Sequence, residues 1–162
     1  MYSIKPNLKD PIFLEEPGVR IFPAGSIEMG LAEDWQSRVE TELKDCDGVL
    51  YNPRRDDWDT TWAQDQKNIQ FNKQVNWELN HLQISDIIFM YLVPDTKSPI
   101  SLLELGKYAG VKQMIVCCPK EFWRHGNVEI LCVRENVPLY SNLDDAIGAL
   151  RTKIELLSDS IC

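Results

Sequence analysis

Apolar residues along this chain follow two periods in turn. Short unbroken apolar runs alternate with stretches whose apolar residues recur every three or four positions, the signature of strands alternating with helices. The run VRIF at residues 19–22 predicts a first strand, ending in Pro23-Ala24-Gly25-Ser26. Trp35, Val39 and Leu43 then share one helical face. Asp47-Gly48 forms a turn into a short second strand, Val49-Leu50-Tyr51, and residues 52–65 read as a polar loop. Phe71, Val75, Leu79 and Leu82 mark the inward stripe of a second helix. Residues 87–93 are apolar throughout, as a strand buried on both faces requires. A third helix is predicted over residues 100–109, closed by Gly110, and a fourth strand over residues 114–118. A loop and a short helical stretch lead to a brief strand at Leu139-Tyr140. The last helix is amphipathic, with Leu143, Ile147, Leu150, Ile154 and Leu157 on its apolar face.

Strands alternating with helices imply an α/β fold with a parallel sheet and helices on both faces. Right-handed crossovers make the doubly wound form the default. The expected architecture is a flavodoxin-like five-stranded sheet in the order 2-1-3-4-5. Ligands of such sheets bind outside the carboxyl ends of the strands where the order reverses, here between strands one and three. The loops that meet there are residues 24–26 and 94–101. Residues 1–17, with Pro6, Pro11 and Pro17, read as an irregular leader to a single domain spanning residues 1–162, without internal repeats.

Composition narrows the function. The 162 residues are 44% hydrophobic and 26% charged, enough to fill a core and cover it. A formal charge of -8 repels polymeric nucleic acid and anionic membrane, so neither is an expected partner. No stretch reaches the ~18 apolar residues of a membrane span, and the first residues lack a secretory pattern. Five cysteines, two of them adjacent at Cys117-Cys118, fit neither a disulfide framework nor a zinc site and read as reduced thiols of a cytoplasmic protein. With only His81 and His125 as histidines, a catalytic metal site is not expected. No GxGxxG or Walker A pattern supports NAD or ATP chemistry, and no cofactor is expected.

Two acids stand out. Glu104 falls in the first turn of the third helix, just after the switch-point loop, where the helix dipole favours an ionised carboxylate. Such a carboxylate aimed into a cleft can attack a sugar C1′. Ser101-x-x-Glu104 also reads as a capping box, whereas Ser98 as N-cap with Pro99 at the first helical position leaves Glu104 free. Glu78 flanks the apolar stripe of the second helix, which asks for a partner or a task, or else marks the solvated edge of that stripe. That helix runs back toward the amino end of strand three, putting Glu78 at mid-height. Asp86 precedes strand three at the end of the sheet away from the ligand and reads as a strand-entry residue. Gly25-Ser26 offers backbone approach and amides to a ligand. The loop NPRRDDWD at residues 52–59 supplies hydrogen-bonding groups and a stacking ring suited to a flat heterocycle, or a salt-bridged surface. Residues 122–127, FWRHGN, read as a loop whose aromatics form a pocket wall, a subunit contact or cover for the sheet end.

The segments IFPAGSIEMG, NPRRDDWD, SDIIFMYL, SPISLLELG and the loop ending GNV come in an order and spacing that resemble the nucleoside 2-deoxyribosyltransferase-like family, from about residue 18 to 140. The resemblance implies a flavodoxin-like fold with sites built between subunits, and hence a homo-oligomer, a dimer or a hexamer. It implies Glu104, in the ELG motif, as nucleophile. It places Glu78 where the family has an aspartate, and Ser98 where the transferases have an acid and the family's nucleotide hydrolases a serine. Ile100-Ser101-Leu102 departs from the family's Gly-x-Gly. In the hydrolase branch serines hold a 5′-phosphate, which makes Ser98 and Ser101 substrate-binding candidates with Gly25 and Ser26. Asn52, Arg54 and Asp56 correspond to the base-binding loop, and Asn127 to an asparagine lent by a neighbouring subunit. The implied reaction is transfer of deoxyribose between nucleobases through a glycosyl-Glu104 intermediate, the missing 2′-hydroxyl next to the nucleophile explaining the preference for deoxy sugars. The alternatives are hydrolysis of a deoxynucleoside or its 5′-monophosphate, and a non-catalytic nucleotide-binding module.

Overall fold

A computed structural model describes residues 1–6, 17–27, 32–55 and 61–161. The elements in chain order are β1 (Tyr2–Ile4), β2 (Arg20–Gly25), α1 (Trp35–Glu42), β3 (Val49–Tyr51), α2 (Ile69–Ile84), β4 (Ile87–Tyr91), α3 (Pro99–Tyr108), β5 (Gln113–Cys117), α4 (His125–Arg134), β6 (Leu139–Tyr140) and α5 (Leu143–Ile161). The strands form a single sheet in the order β1-β3-β2-β4-β5-β6, every pairing parallel. The five strands read from the apolar pattern thus take the order 2-1-3-4-5, with the reversal between β2 and β4. A sixth strand is added: Tyr2–Ile4 pairs with Val49–Tyr51 at the sheet edge, where an irregular leader was expected. A three-residue edge strand with one side in solvent leaves no apolar run to be read.

The first predicted strand also runs three residues further. A proline inside a sheet normally removes a ladder bond. Here the pairing with β3 stops at Ile21, so Pro23 has only β4 as ladder neighbour, opposite Phe89, and is tolerated. Gly25 ends the strand at φ 134, and a Cβ there would lie 2.1 Å from the Tyr91 carbonyl oxygen. Only glycine lets the two switch-point strands approach so closely.

Two cores sandwich the sheet. Trp35, Val39 and Leu43 of the α1 region and Leu143, Ile147, Leu150 and Ile154 of α5 cover one face, with Phe89 and Ile21. Leu82 of α2, Leu105 and Tyr108 of α3, and Val128 and Cys132 of α4 cover the other, with Phe22 and Met90. Each fully buried large side chain contributes roughly 1.5–3 kcal/mol. Cys117 belongs to the first core and Cys118 to the second, so the adjacent thiols point to opposite faces and cannot pair. Asp86 accepts from the Arg20 backbone N–H at 2.9 Å and pairs with its guanidinium at 2.7 Å, clamping the amino ends of β2 and β4. No helix among the described residues is long and apolar enough to cross a membrane.

Candidate active site

The loops after β2 and β4 meet as expected, through three hydroxyls. Ser26 Oγ accepts the Val93 backbone N–H at 2.9 Å and lies 2.9 Å from Thr96 Oγ1 and 2.5 Å from Ser98 Oγ. Thr96 Oγ1 donates to the Val93 carbonyl at 2.8 Å. Ser98 takes a left-handed conformation, φ 48, immediately before Pro99. Both features are disfavoured, and the hydroxyl cluster holds the chain there. Ser26 and Ser98 therefore lock the loop with their hydroxyls.

This lock decides how α3 begins. Ser98 is the N-cap and Pro99 the first helical residue, so Ser101-x-x-Glu104 is not a capping box. Glu104 is then the sixth helical residue, in the second turn and not the first, about 7.5 Å along the axis from the helix start. Ser101, Glu104, Leu105 and Tyr108 form the buried face of α3. Glu104 is 8% exposed, and no described residue hydrogen-bonds its carboxyl. Ser101, one turn earlier, is buried with no described partner for its hydroxyl. The ionised Glu104 expected from the dipole is not what this setting favours. Burial, then the charge of Glu78, raise its pKa to about 8, against a smaller lowering by Lys107. The dipole effect fades beyond the first turn.

Glu78 comes from α2. The buried residues of this helix are Gln74, His81 and Leu82, with Trp77 and Ile84 packed on the same core, so its inward face is turned by about one position from the predicted stripe. Glu78 lies one turn from Gln74 on that side of the helix and is itself partly covered. It is near enough to Glu104 for its charge to act on that carboxyl. Burial raises the Glu78 carboxyl to about 7, and a hydrogen bond from Gln74 opposes the shift. Gln74 Nε2 donates to Glu78 Oε1 at 2.7 Å and to the Pro53 carbonyl at 3.3 Å, and Gln74 Oε1 accepts from Arg55 at 3.4 Å. The Arg55 guanidinium lies over the Trp62 ring, 5.3 Å from its centroid. Below Glu78, Trp77 stacks on His81 at 3.9 Å, and His81 Nδ1 donates to the Trp77 carbonyl at 2.7 Å.

The remaining candidates go elsewhere. The Asn52 side chain is buried, donating to Glu40 at 2.8 Å and accepting the Arg54 backbone N–H at 2.9 Å. Arg54 reaches the Ala32 and Glu33 carbonyls at 3.0 and 3.1 Å, on the α1 side. Both hold the loop after β3 in shape. Asp56 lies outside the described residues. Asn127 is exposed in the first turn of α4, because residues 125–127, expected as loop, are helical. Phe122 is core, whereas Trp123 is half exposed, donates to the Lys97 carbonyl at 3.1 Å and carries Lys97 and Arg124 within 4.5 Å of its ring centroid. Gln74 and Thr96 make contacts around these groups that the sequence does not single out, and Arg55 belongs to the loop that it does. The signal for Gln74 was its spacing of four from Glu78, hidden by the misplaced stripe. A surface groove at the amino end of the sheet, lined by Gln113, Lys153 and the single acid Glu135, faces away from these groups and holds no carboxyl pair.

Known proteins resemble this chain in sequence pattern and in fold. A family model described as nucleoside 2-deoxyribosyltransferase like matches residues 18–122, which spans β2 to Phe122 and includes both carboxyls. A crystal structure of a conserved protein from Enterococcus faecalis V583 is similar in fold, with a TM-score of 0.61 at 13% sequence identity, covering 84% of this chain and 99% of that one. No curated protein matches the sequence.

Proposed function

The chain belongs to the nucleoside 2-deoxyribosyltransferase-like family, and from that premise we propose that it cleaves the N-glycosidic bond of a 2′-deoxynucleoside and transfers the sugar to a second nucleobase. The observation that carries the reading is Glu104, a buried carboxyl without a described hydrogen-bond partner, close enough to the partly covered Glu78 carboxyl to feel its charge. An unpartnered buried acid costs stability and is expected to face a ligand.

Two carboxyls that disfavour double ionisation hold one proton between them near neutral pH. In the productive state the proton is on Glu78 and the charge on Glu104, a split that the electropositive C1′ drives when the sugar sits over Glu104. A Glu104 oxygen then bonds to C1′ as the C1′–N bond breaks. The bonding pair leaves with the base, which takes the proton from Glu78. An incoming base attacks C1′ from the face it vacated, its proton passes to Glu78, and Glu104 is released. Two inversions give retention. The Ser101 hydroxyl, one turn before Glu104, faces the same substrate. Arg55 and Trp62 offer a cation and a ring to the base. Asn127 completes the site of a neighbouring copy.

The test is product analysis of deoxyinosine incubated with excess adenine, using wild type and Glu104→Ala in parallel. Deoxyadenosine is expected from wild type only. Free hypoxanthine with deoxyribose and no exchange would make the protein a hydrolase, to be repeated on the 5′-monophosphate. Nucleoside binding without turnover in either protein would overturn the enzymatic reading.

A further inference from the structure

The amide of Gln74 lies between the acid pair and the loop after β3. It is 2% exposed, both its donors are used, to Glu78 Oε1 and the Pro53 carbonyl, and its oxygen accepts from Arg55. The amide can face only one way. Its oxygen must meet the guanidinium, which only donates, and its nitrogen the two oxygens, which need donors. We propose that Gln74 is the positioning residue of the site, fixing Glu78 so that its free oxygen, Oε2, is the one that carries the proton, and tying that orientation to the loop that faces the base. This rests on the reading of Glu78 as the acid of the reaction.

A carboxyl oxygen that accepts a short bond from an amide N–H cannot also present a hydrogen along that line. When Glu78 is protonated, the hydrogen is therefore on Oε2, to which no described residue hydrogen-bonds. The same donor favours the ionised form and so opposes burial. The other ionisable groups near Glu78 are Glu104 of α3, with Lys107 behind it, Arg55 reached through Gln74, and His81 one turn on in α2. His81 donates Nδ1–H to the Trp77 carbonyl, and burial lowers its pKa, so it adds no charge near neutral pH. Gln74 is therefore the one described side chain that bonds Glu78 directly. Arg55 acts on the acid through the same amide, so a base that displaces or draws in the Arg55 loop changes the alignment of the proton donor.

The experiment is titration of the Glu78 side-chain carboxyl by carbon NMR in the ligand-free full chain, assigned with Glu78→Gln, in wild type, Gln74→Met and Gln74→Glu. Methionine keeps length and removes the donors. Glutamate keeps the acceptor for Arg55 and also removes them. Both variants are expected to titrate Glu78 higher, by on the order of one pH unit. The alkaline limb of the pH–rate profile is expected to move with it, while the KM for nucleoside changes less than kcat. If Gln74→Met does not fold, Gln74→Glu carries the comparison. A Glu78 titration that stays put in a folded variant would overturn the proposal. The two readings fail separately: a shifted titration in a protein without glycosidic activity removes the enzymatic reading alone, and activity with an unmoved titration and limb removes the role of Gln74 alone.

Discussion

Glu104 combines burial with the absence of a partner, and this has a consequence for stability that does not depend on the reaction. Its carboxyl titrates at about 8 in the fold against 4.5 for an unperturbed one. Between those values the folded chain binds more protons than the unfolded chain, so stability falls as pH rises through the window and levels off above it. Glu104→Gln removes that dependence and the repulsion felt by Glu78. The variant is expected to match wild type in urea denaturation near pH 5 and to exceed it by roughly 1–3 kcal/mol near pH 8.5. An acid held for function at the expense of stability behaves this way. Equal stability at both pH values would mean that Glu104 is solvated in the fold. The sequence made this residue visible through its place after the third strand, but not its protonation. A cap at Ser98 in place of Ser101 moves the helix start by three residues and takes Glu104 from the reach of the dipole into a turn where burial dominates.

At the scale of elements, the helix faces set how much of the site was legible. Strand positions were read nearly to the residue for β3 and β6, because short apolar runs bounded by turn residues have few alternatives. The inward face of α2 is hard to read because it is largely polar: Gln74 and His81 are buried beside Leu82, while Phe71, Val75, Glu78 and Leu79 are only partly covered. A face that lines a site breaks the apolar periodicity used to find it. The loop after β3 shows a different limit of the sequence. Asn52 and Arg54 have the chemistry of ligand-binding groups, but sequence does not reveal that Glu40 and the Ala32 and Glu33 carbonyls already occupy them. The hydroxyl lock is the element-level counterpart. Ser26→Ala leaves the buried Val93 N–H without its acceptor and takes one hydroxyl from the cluster that holds Ser98 at positive φ. The expected cost is about 1–3 kcal/mol by chemical denaturation, a change within 0.5 kcal/mol being the result that would discount the lock.

At the scale of the molecule, the second sheet face bears helices whose outer sides are not uniformly polar. Ile130 and Val133 of α4 are 71% and 75% exposed, Trp123 precedes them by two turns, and Asn127 lies on the same helix between. Exposed apolar side chains in a row on one helix are typical of a contact with another chain. Here they flank the residue proposed to serve a neighbour's site. Fold and family were readable because many positions share in specifying them, whereas an interface of this kind depends on a few surface residues and on a partner that the chain alone does not describe. The arrangement makes a prediction by complementation. Glu104→Ala and Asn127→Ala are each expected to be inactive alone. If one copy supplies Glu104 and the other Asn127, mixing the two variants under exchange rebuilds intact sites at the interface. Random pairing of equal amounts into dimers leaves one intact site in half of them, about a quarter of the wild-type site count. Activity measured after mixing, with sedimentation velocity to establish the dimer, is expected to return to about that fraction. A mixture that stays inactive while the variants exchange would place Asn127 in the site of its own copy. A protein that remains monomeric at high concentration would give the exposed face of α4 another purpose.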